Sequence, residues 1–561
     1  TASTIPGMYF NYQGKKSPID WDFAVEPQPN KACLGMPGGR CRWPRGKVIG
    51  GTSVLHGMMY MRGNPEDYDN WEKLGNIGWN SSNIFGYFIK SEDYIDNKTK
   101  IELNRRWVQN PESLHGYGGY LTVQRFPDQP EITKTILQGT EELGYYVQNS
   151  LNGFNQTGFT VAHATVRNGE RLSVARAFLH PVLCRTNLNV IPYAHVIKIL
   201  FDGSGKRALG VEYVKNGRLY RLYAKKEVIL SAGAVQSPQL LLLSGIGPEL
   251  HLNDLDIPIV HKLKGVGYNL RNHVSFSIPL EVAGSKAKNL MTEDSLTEYI
   301  KSRRGPMSST GLSQMTGFLH LDKSNKNYNV PDTQIFFDGF MSNCSRTGHK
   351  WETISEKQIF NVVPTLLQPI STGRISLKTT NPFDPPKIEA NYLVDYNDVK
   401  LLIEGVRFVQ RLSQTSTFKK SKIKLADRQI SQCKHLQFNT DHYWECMIRH
   451  LTNPENHQVG TVKMGPKEDE FAVVDSELRV YGVKNLRVID ASIMPTVPSA
   501  NLNAPVMMVA EKGSHMIKNT WRPITKDTSF ESDKSWGKNN LCLCPNVQIS
   551  LSDKKTTKRC F

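Results

Sequence analysis

Arg45–Asn64 reads RGKVIGGTSVLHGMMYMRGN. It packs a Gly-Gly pair, two small hydroxyl residues, an apolar run and a closing Arg-Gly-Asn into one short stretch. Gly50 and Gly51 can take backbone angles closed to other residues and let the chain approach a ligand closely. Thr52 and Ser53 offer short hydroxyls or a helix cap at the same place. Val54 to Met61 is expected to be buried. A backbone nest followed by an apolar element is one way to hold an anionic or planar cofactor. A tight turn before a core helix gives the same pattern, and spacing alone leaves both readings open.

Around that stretch the chain is of ordinary globular composition. Its 561 residues are 39% hydrophobic and 22% charged, enough for two or more domains with sizeable cores. The formal charge of +17 is spread along the chain, apart from a Lys-rich C-terminal tail. It reads as a basic surface rather than a nucleic-acid site, and no nucleic-acid partner is expected. No run of 18 or more apolar residues occurs, so no membrane span is expected. Nine cysteines is an odd count. Cys33 and Cys41 flank a Gly-rich loop and are candidates for a disulfide, as are Cys433 and Cys446. No Cys-x-x-Cys is present, and no metal site is expected. Sequons at Asn80, Asn97, Asn155 and Asn343 support secretion weakly. The N-terminus, TASTIPGMYFNYQGKK, is no signal peptide.

Residues 1–44 read as irregular chain. Helices are expected over Asn80–Tyr94, capped by Ser81 or Ser82, over Ile132–Leu143, and over Ser173–Leu183, the last ended by Pro181. Residues 96–123 read as a polar loop turning into a strand. Period-2 alternation from Asn187 to Gly233 argues several strands. Within it, Gly203-Ser204-Gly205-Lys206-Arg207-Ala208 satisfies G-x-G-x-x-A. It lies between two strands with no helix after it, so it reads as a hairpin turn. Val228–Pro248 is a strand, a Gly-bearing turn and an apolar helix. From Phe276 to Met447, strand-like runs alternate with a helix from about Asp398 to Leu412. Leu486–Asp490 is a strand. Pro495 and Pro498 forbid regular structure in the loop beyond it, and Ala504–Ile517 reads as a helix with Pro505 in its first turn.

Two polar residues sit where chemistry is possible. His457 stands in the loop-like NHQVGT, and a loop histidine is a good proton acceptor near neutral pH. Asn501 stands in the Pro-framed SANLNAP, and its amide can donate to a developing alkoxide. Taken singly, each is as readily a structural polar residue.

Several motifs together resemble the glucose–methanol–choline (GMC) flavin oxidoreductases, in particular the insect-type, glucose dehydrogenase-like branch. Arg45–Ser53 with Met61–Asn64 and Asp67-Tyr68-Asp69-Asn70-Trp71 is similar to the family's first signature. Gly233–Pro248, GAVQSPQLLLLSGIGP, is similar to the second, and Gly265–His273, GVGYNLRNH, to the loop that follows it. His457–Gly465 with Val474–Pro495 resembles the C-terminal block. The departures are His56 where Asn is usual, Asn272 where Asp is usual, and Val462 where Cys is frequent. The resemblance implies an α/β (mixed α+β) fold: an FAD-binding doubly wound domain plus a sheet-rich substrate domain. It implies FAD as cofactor, held by Arg45, Gly50, Gly51, Thr52, Ser53, His56, Gly57, Val196, Ala232, Gly233, Asp490, Ala491, Asn503, Ala504 and Pro505. It implies oxidation of an alcohol or sugar, with a quinone-like electron acceptor. His457 would take the hydroxyl proton, the carbinol hydride would pass to the flavin, and Asn501 would hold the substrate oxygen.

One family element is absent from the sequence, the strand–G-x-G-x-x-G–helix fingerprint that cradles the pyrophosphate. The expected organisation is therefore 1–275 as an FAD-binding first part lacking that fingerprint, 276–449 as the substrate domain, 450–518 as the C-terminal FAD-binding part, and 519–561 as a polar disordered tail. Two readings follow. In one, the chain is an incomplete copy of an active, secreted enzyme whose full chain carries the fingerprint upstream, and as written it holds FAD poorly. In the other, it is a catalytically silent relative that binds rather than turns over. A serine hydrolase is disfavoured because no G-x-S-x-G occurs.

Overall fold

The computed structural model describes residues 2–14, 17–95, 114–153, 155–286, 290, 292–322, 330–340, 357–427 and 429–522. Two apolar cores organise them. One lies under a large antiparallel sheet, and the other surrounds a small parallel pair and its helices.

The large sheet has eight strands. Its main path runs Ile423–Leu425, Ile278–Lys286, Lys357–Leu366, Thr333–Asp338, Met315–Leu319, Gly158–Val161. Val274–Phe276 pairs with the end of Lys357–Leu366 and carries Thr452–Pro454 on its other side. The sheet thus takes strands from both sides of the 276–449 span. Its two faces follow from alternation. Val274, Phe276, Leu366, Ile335 and Phe337 point into the first core. There they meet the helix Tyr396–Ser413, whose Val399, Leu402, Ile403, Val406 and Val409 are buried at helical spacing. Each such side chain contributes about 1.5–3 kcal/mol on burial. The opposite face carries His273, Ser275, Thr365 and Gln334, with Phe318 and Phe336 packing toward Met59, Met61 and Ala500. This second face is the one that matters for chemistry.

The second core surrounds Val228–Leu230, which pairs in parallel with Leu486–Val488. The helix Gly233–Leu243 follows the first strand, and the helix Asn503–Trp521 packs on Ser81–Ser91. Beside them, His195–Phe201, Ala208–Lys215 and Arg218–Tyr223 form a three-stranded antiparallel sheet. Gly203–Ala208 is the turn of its first hairpin, with Gly205 at φ 69°, as its setting between two strands predicts.

Several boundaries differ from expectation. The helix expected over Asn80–Tyr94 spans Ser81–Ser91, and Asn80 rather than Ser81 or Ser82 caps it, accepting from the Asn83 N–H. Glu92–Tyr94 instead pairs in parallel with Leu121–Val123. Ser173–Leu183 is not one α-helix: a π-turn over Ala175–Leu179 runs into a 3₁₀ turn holding Pro181. The C-terminal helix extends to Trp521, so the first residues of the expected tail are helical. The rest of that tail, and residues 96–113, lie outside the described residues. Disulfides join Cys33 to Cys41 and Cys433 to Cys446.

Candidate active site

His457 reaches the site through a bulge. The Glu455 N–H donates to the His273 carbonyl, and Val459 pairs with Arg271. Residues 456–458 therefore stand opposite Asn272 alone. Asn456 takes the left-handed conformation at φ 63°, which an asparagine tolerates. Bulges of this kind re-aim a side chain. The Asn272 Oδ1 accepts the His457 backbone N–H at 2.6 Å, while its Nδ2 donates to the Tyr392 hydroxyl at 2.6 Å. Asn272, an unusual residue in this loop, thus ties the bulge down.

The bulge brings the His457 ring against His273. The two Nδ1 atoms are 2.9 Å apart and the rings are perpendicular, at 88°. One Nδ1 must donate and the other accept. His273 is fully buried, and the carbonyls of Leu367 and Pro498 approach its ring. Neither reaches hydrogen-bond geometry with Nε2, but carbonyls only accept, so they favour the proton on Nε2 of His273. Its Nδ1 then accepts from His457, which leaves the His457 Nε2 lone pair uncommitted. Loss of bulk water, then the neighbouring His273, Arg45 and His56, hold the His457 pKa well below the ordinary histidine value. Burial holds His273 down to about 3. His457 is therefore neutral at neutral pH, as a proton acceptor must be.

Asn501 is oriented by the sheet. Gln334 is fully buried, and its Nε2 donates to Asn501 Oδ1 at 3.2 Å and to Thr316 Oγ1 at 2.9 Å. With its oxygen engaged, Asn501 presents its NH₂ as a donor. The Pro-framed loop behind it hangs on Asp67, which accepts from the Ser499 N–H at 2.7 Å, the Ser499 hydroxyl at 2.9 Å and Gln368 Nε2 at 3.1 Å. Burial raises the Asp67 pKa to about 6.

The opening stretch closes the site from the other side. Arg45 donates to the Asn456 carbonyl at 2.6 Å and so couples the stretch to the His457 bulge. Gly50 and Gly51 have φ of 100° and 55°, and a Cβ on Gly46 would lie 2.3 Å from the Gly51 carbonyl carbon. The Thr52 and Ser53 hydroxyls are spent inside the loop, on the Gly46 N–H and the Gly50 carbonyl. A 3₁₀ turn over Gly51–Val54 leads into buried, extended chain rather than a core helix. An apolar groove lined by Gly50, Val174, Ala175, Phe178 and Leu188 opens beside it. His56 Nδ1 accepts from the Met58 N–H at 2.8 Å, so its Nε2 carries the proton and is buried without a partner. Gly57 lies against Tyr9.

The remaining sequence-derived residues gather elsewhere. Ala232–Gly233 and Asp490–Ala491 sit at the C-terminal ends of the two parallel strands. Asp490 fastens them, accepting from the Gly233 N–H at 2.8 Å, the Ser237 hydroxyl at 2.5 Å and the Ser492 N–H at 2.7 Å. Asn503, Ala504 and Pro505 open the C-terminal helix, with Asn503 Nδ2 at 3.4 Å from Thr165 Oγ1. Val196 is 37% exposed on the three-stranded sheet. His273, Gln334 and Asp67 were not singled out as site residues from the sequence. His273 and Asp67 stand inside quoted motifs, whereas Gln334 lies in a strand with no motif to mark it. Cys433, Cys446 and His450 also gather, but their two sulfurs are joined to each other.

Family models described as GMC oxidoreductase match residues 30–275 and 369–510. The chain belongs to the GMC oxidoreductase family. It is 44% identical over 519 residues to a glucose dehydrogenase [FAD, quinone] of Drosophila pseudoobscura pseudoobscura, covering 92% of this chain and 80% of that one. Against human mitochondrial choline dehydrogenase it is 36% identical, covering 89% and 79%. An FAD-dependent oxidoreductase from Chaetomium thermophilum superposes with a TM-score of 0.78 at 25% identity, over 91% of this chain and 92% of that one. A formate oxidase of Aspergillus oryzae RIB40 gives 0.80 at 24%, over 93% and 91%. The GMC fold therefore places the bulged histidine, the Asn501 loop and the two strand ends on one scaffold.

Proposed function

We propose that this chain is an FAD-dependent oxidoreductase acting on the CH–OH group of an alcohol or sugar, with a quinone-type compound as electron acceptor. Its family and its similarity to a glucose dehydrogenase support the reaction class. The observation that carries the residue roles is the His273–His457 contact, which leaves the His457 Nε2 lone pair free, while Gln334 on the same sheet face holds Asn501 with its NH₂ presented.

The residues present fit the cofactor. The helix opening at Asn503 has no side-chain cap, so its first N–H groups are available to an anion, whereas the Gly233 N–H is held by Asp490. A Cβ on Gly233 would meet nothing within 4 Å, so open space lies there, at the C-terminal end of a parallel strand where such folds bind nucleotides. His56 Nε2–H is a buried donor with no partner in hydrogen-bond geometry, and the Asn503 side chain lies near the ring. Gly50–Gly51, His56, Ala232–Gly233, Asp490–Ala491 and Asn503–Pro505 would hold FAD. When bound, it supplies the hydride acceptor.

The chain's own residues do the rest. His457 Nε2 takes the substrate hydroxyl proton while His273 accepts from Nδ1 and steadies the imidazolium that forms. Asn501 donates to the oxygen as it gains charge, with Gln334 keeping the amide from rotating. Arg45 and Asn272 hold the bulge so that the ring does not swing away. Asn272 and His56, two departures from the family pattern, are both accommodated by hydrogen bonds, and no observation favours the catalytically silent reading. The disulfides Cys33–Cys41 and Cys433–Cys446 support an oxidising, extracellular setting.

The test is His457→Ala in the flavin-loaded enzyme. It lowers turnover by about 100- to 10,000-fold with flavin retained. Near-normal turnover refutes the assignment.

A further inference from the structure

One motif marked in the sequence takes no part in the oxidation chemistry. Asn155-Gln156-Thr157 and Asn80-Ser81-Ser82 both satisfy Asn-x-Ser/Thr, the acceptor pattern for an N-linked glycan. The sequons at Asn97 and Asn343 lie outside the described residues. The pattern alone does not separate the first two. The folded chain does, because a glycan needs an outward-facing amide whose nitrogen is not already committed.

Asn155 meets that requirement. It is exposed, while Leu151, Asn152 and Gln156 around it are buried. The segment is tied down from the inside. Asn152 Nδ2 donates to the Tyr60 carbonyl at 3.1 Å, and its Oδ1 accepts from the Arg62 N–H at 2.8 Å. Gln156 Nε2 donates to the Ser499 carbonyl at 2.6 Å, and Gln148 Nε2 to the Thr157 carbonyl at 2.6 Å. These bonds hold the segment against the opening stretch and the Asn501 loop. With those neighbours turned inward, Asn155 is left on the outside. Its Oδ1 accepts from the Thr157 N–H at 3.0 Å, which orients the amide and leaves Nδ2 without a hydrogen bond to any described residue.

Asn80 fails the same requirement. Its Oδ1 caps the helix Ser81–Ser91, accepting from the Asn83 N–H at 2.9 Å. Its Nδ2 donates to Glu72 Oε2 at 2.7 Å, while Glu72 Oε1 accepts from the Gly78 N–H at 2.9 Å. That carboxylate joins the helix Pro65–Lys73 to the start of the next one. A sugar on Asn80 Nδ2 takes the place of one of its two N–H groups and crowds the carboxylate that the amide faces. Loss of the cap alone costs about 1 kcal/mol. Chains modified there fold less well, so the folded, secreted protein is free of them.

We propose that Asn155, and not Asn80, is an N-glycosylation site of this protein. The proposal rests on the extracellular reading above, since the modification is made on chains entering the secretory pathway. The co-reactant is an oligosaccharide carried on a lipid pyrophosphate. Asn155 Nδ2 gives up one proton to the transferase and forms an N-glycosidic bond to C1 of the first sugar. The C1–O bond to the pyrophosphate breaks, and the lipid pyrophosphate leaves with the bonding electron pair. Nothing is oxidised or reduced. Gln156 holds the Ser499 carbonyl, so the glycan stands beside the loop that carries Asn501.

The experiment treats the protein purified from its native source with a peptide N-glycosidase and maps its peptides by mass spectrometry. The treatment converts a glycosylated Asn to Asp, and an untreated aliquot corrects for spontaneous deamidation. Residue 155 is read as Asp and residue 80 as Asn. Recombinant Asn155→Gln and Thr157→Ala, secreted from animal cells, each lose the same single glycan relative to wild type. Thr157→Ser keeps it, and Asn80→Gln loses none. Alkylation of cysteines without prior reduction separates the two levels. A bare Asn155 in protein whose Cys33 and Cys433 resist alkylation overturns the site and leaves the extracellular setting standing. Alkylated Cys33 and Cys433 with every sequon bare overturn both. A glycan on Asn80 overturns the selection between the two sequons.

Discussion

His273→Phe is the sharpest perturbation of the proposed site. Phenylalanine keeps an aromatic ring in a position that is wholly buried, but removes the acceptor 2.9 Å from His457 Nδ1. The His457 N–H is then a buried donor without a partner, which costs about 1–3 kcal/mol. That cost is felt most when the ring becomes an imidazolium, so it raises the barrier. At a factor of ten per 1.36 kcal/mol, hydride transfer slows about 5- to 150-fold. The assay is anaerobic stopped-flow bleaching of the bound flavin at saturating alcohol, with flavin content measured on the same sample. Flavin content stays near wild type, because His273 faces His457 rather than the residues assigned to the cofactor. His273→Asn, whose amide oxygen can still accept, recovers part of the rate. In the double variant with His457→Ala the two effects do not add, since both remove one interaction. A His273→Phe enzyme that bleaches at the wild-type rate refutes the tautomer argument, and so do fully additive effects.

Asp67→Ala removes an acceptor that the Pro-framed loop shares among several donors. It lowers stability to denaturant by about 3 kcal/mol and slows turnover with it; stability loss without loss of rate would show the loop is not held from Asp67. Replacing Cys33 and Cys41 by serine, which opens a disulfide of sequence separation 8, costs about 2.5 kcal/mol by the loop-entropy relation. The same change at Cys433 and Cys446, with separation 13, costs about 3 kcal/mol in denaturant titrations. The His457 pKa is lowered, so protonation needs a pH well below the ordinary value of about 6.5. The rate of flavin reduction at saturating 1-hexanol therefore shows no half-loss near pH 6.5 on acidification from pH 8; a half-loss there contradicts the stated environment of His457.

Much of the architecture was legible because it is local. Alternation gave the strands of 195–230. The apolar positions of 398–412 gave the helix on the sheet, and the absence of a following helix exposed Gly203–Ala208 as a hairpin turn. His457 and Asn501 were visible through the motifs around them. What stayed hidden depends on register between distant segments. His273 meets His457 only because residues 184 apart are brought together by a bulge at Asn456. Gln334 and Asn501, 167 apart, meet across the sheet face. No periodicity in either segment encodes that register. The cap of the helix after Asn80 was misplaced for a simpler reason: three consecutive residues there can all cap, and geometry chose the first.

The measurement closest to the central claim is the visible spectrum of the protein purified from its native source, recorded anaerobically before and after addition of D-glucose, sorbitol or a simple alcohol. The account predicts a flavin band that bleaches on addition of substrate and returns when a quinone is added. A folded protein without flavin, or a flavin band that no alcohol or sugar bleaches, would contradict it.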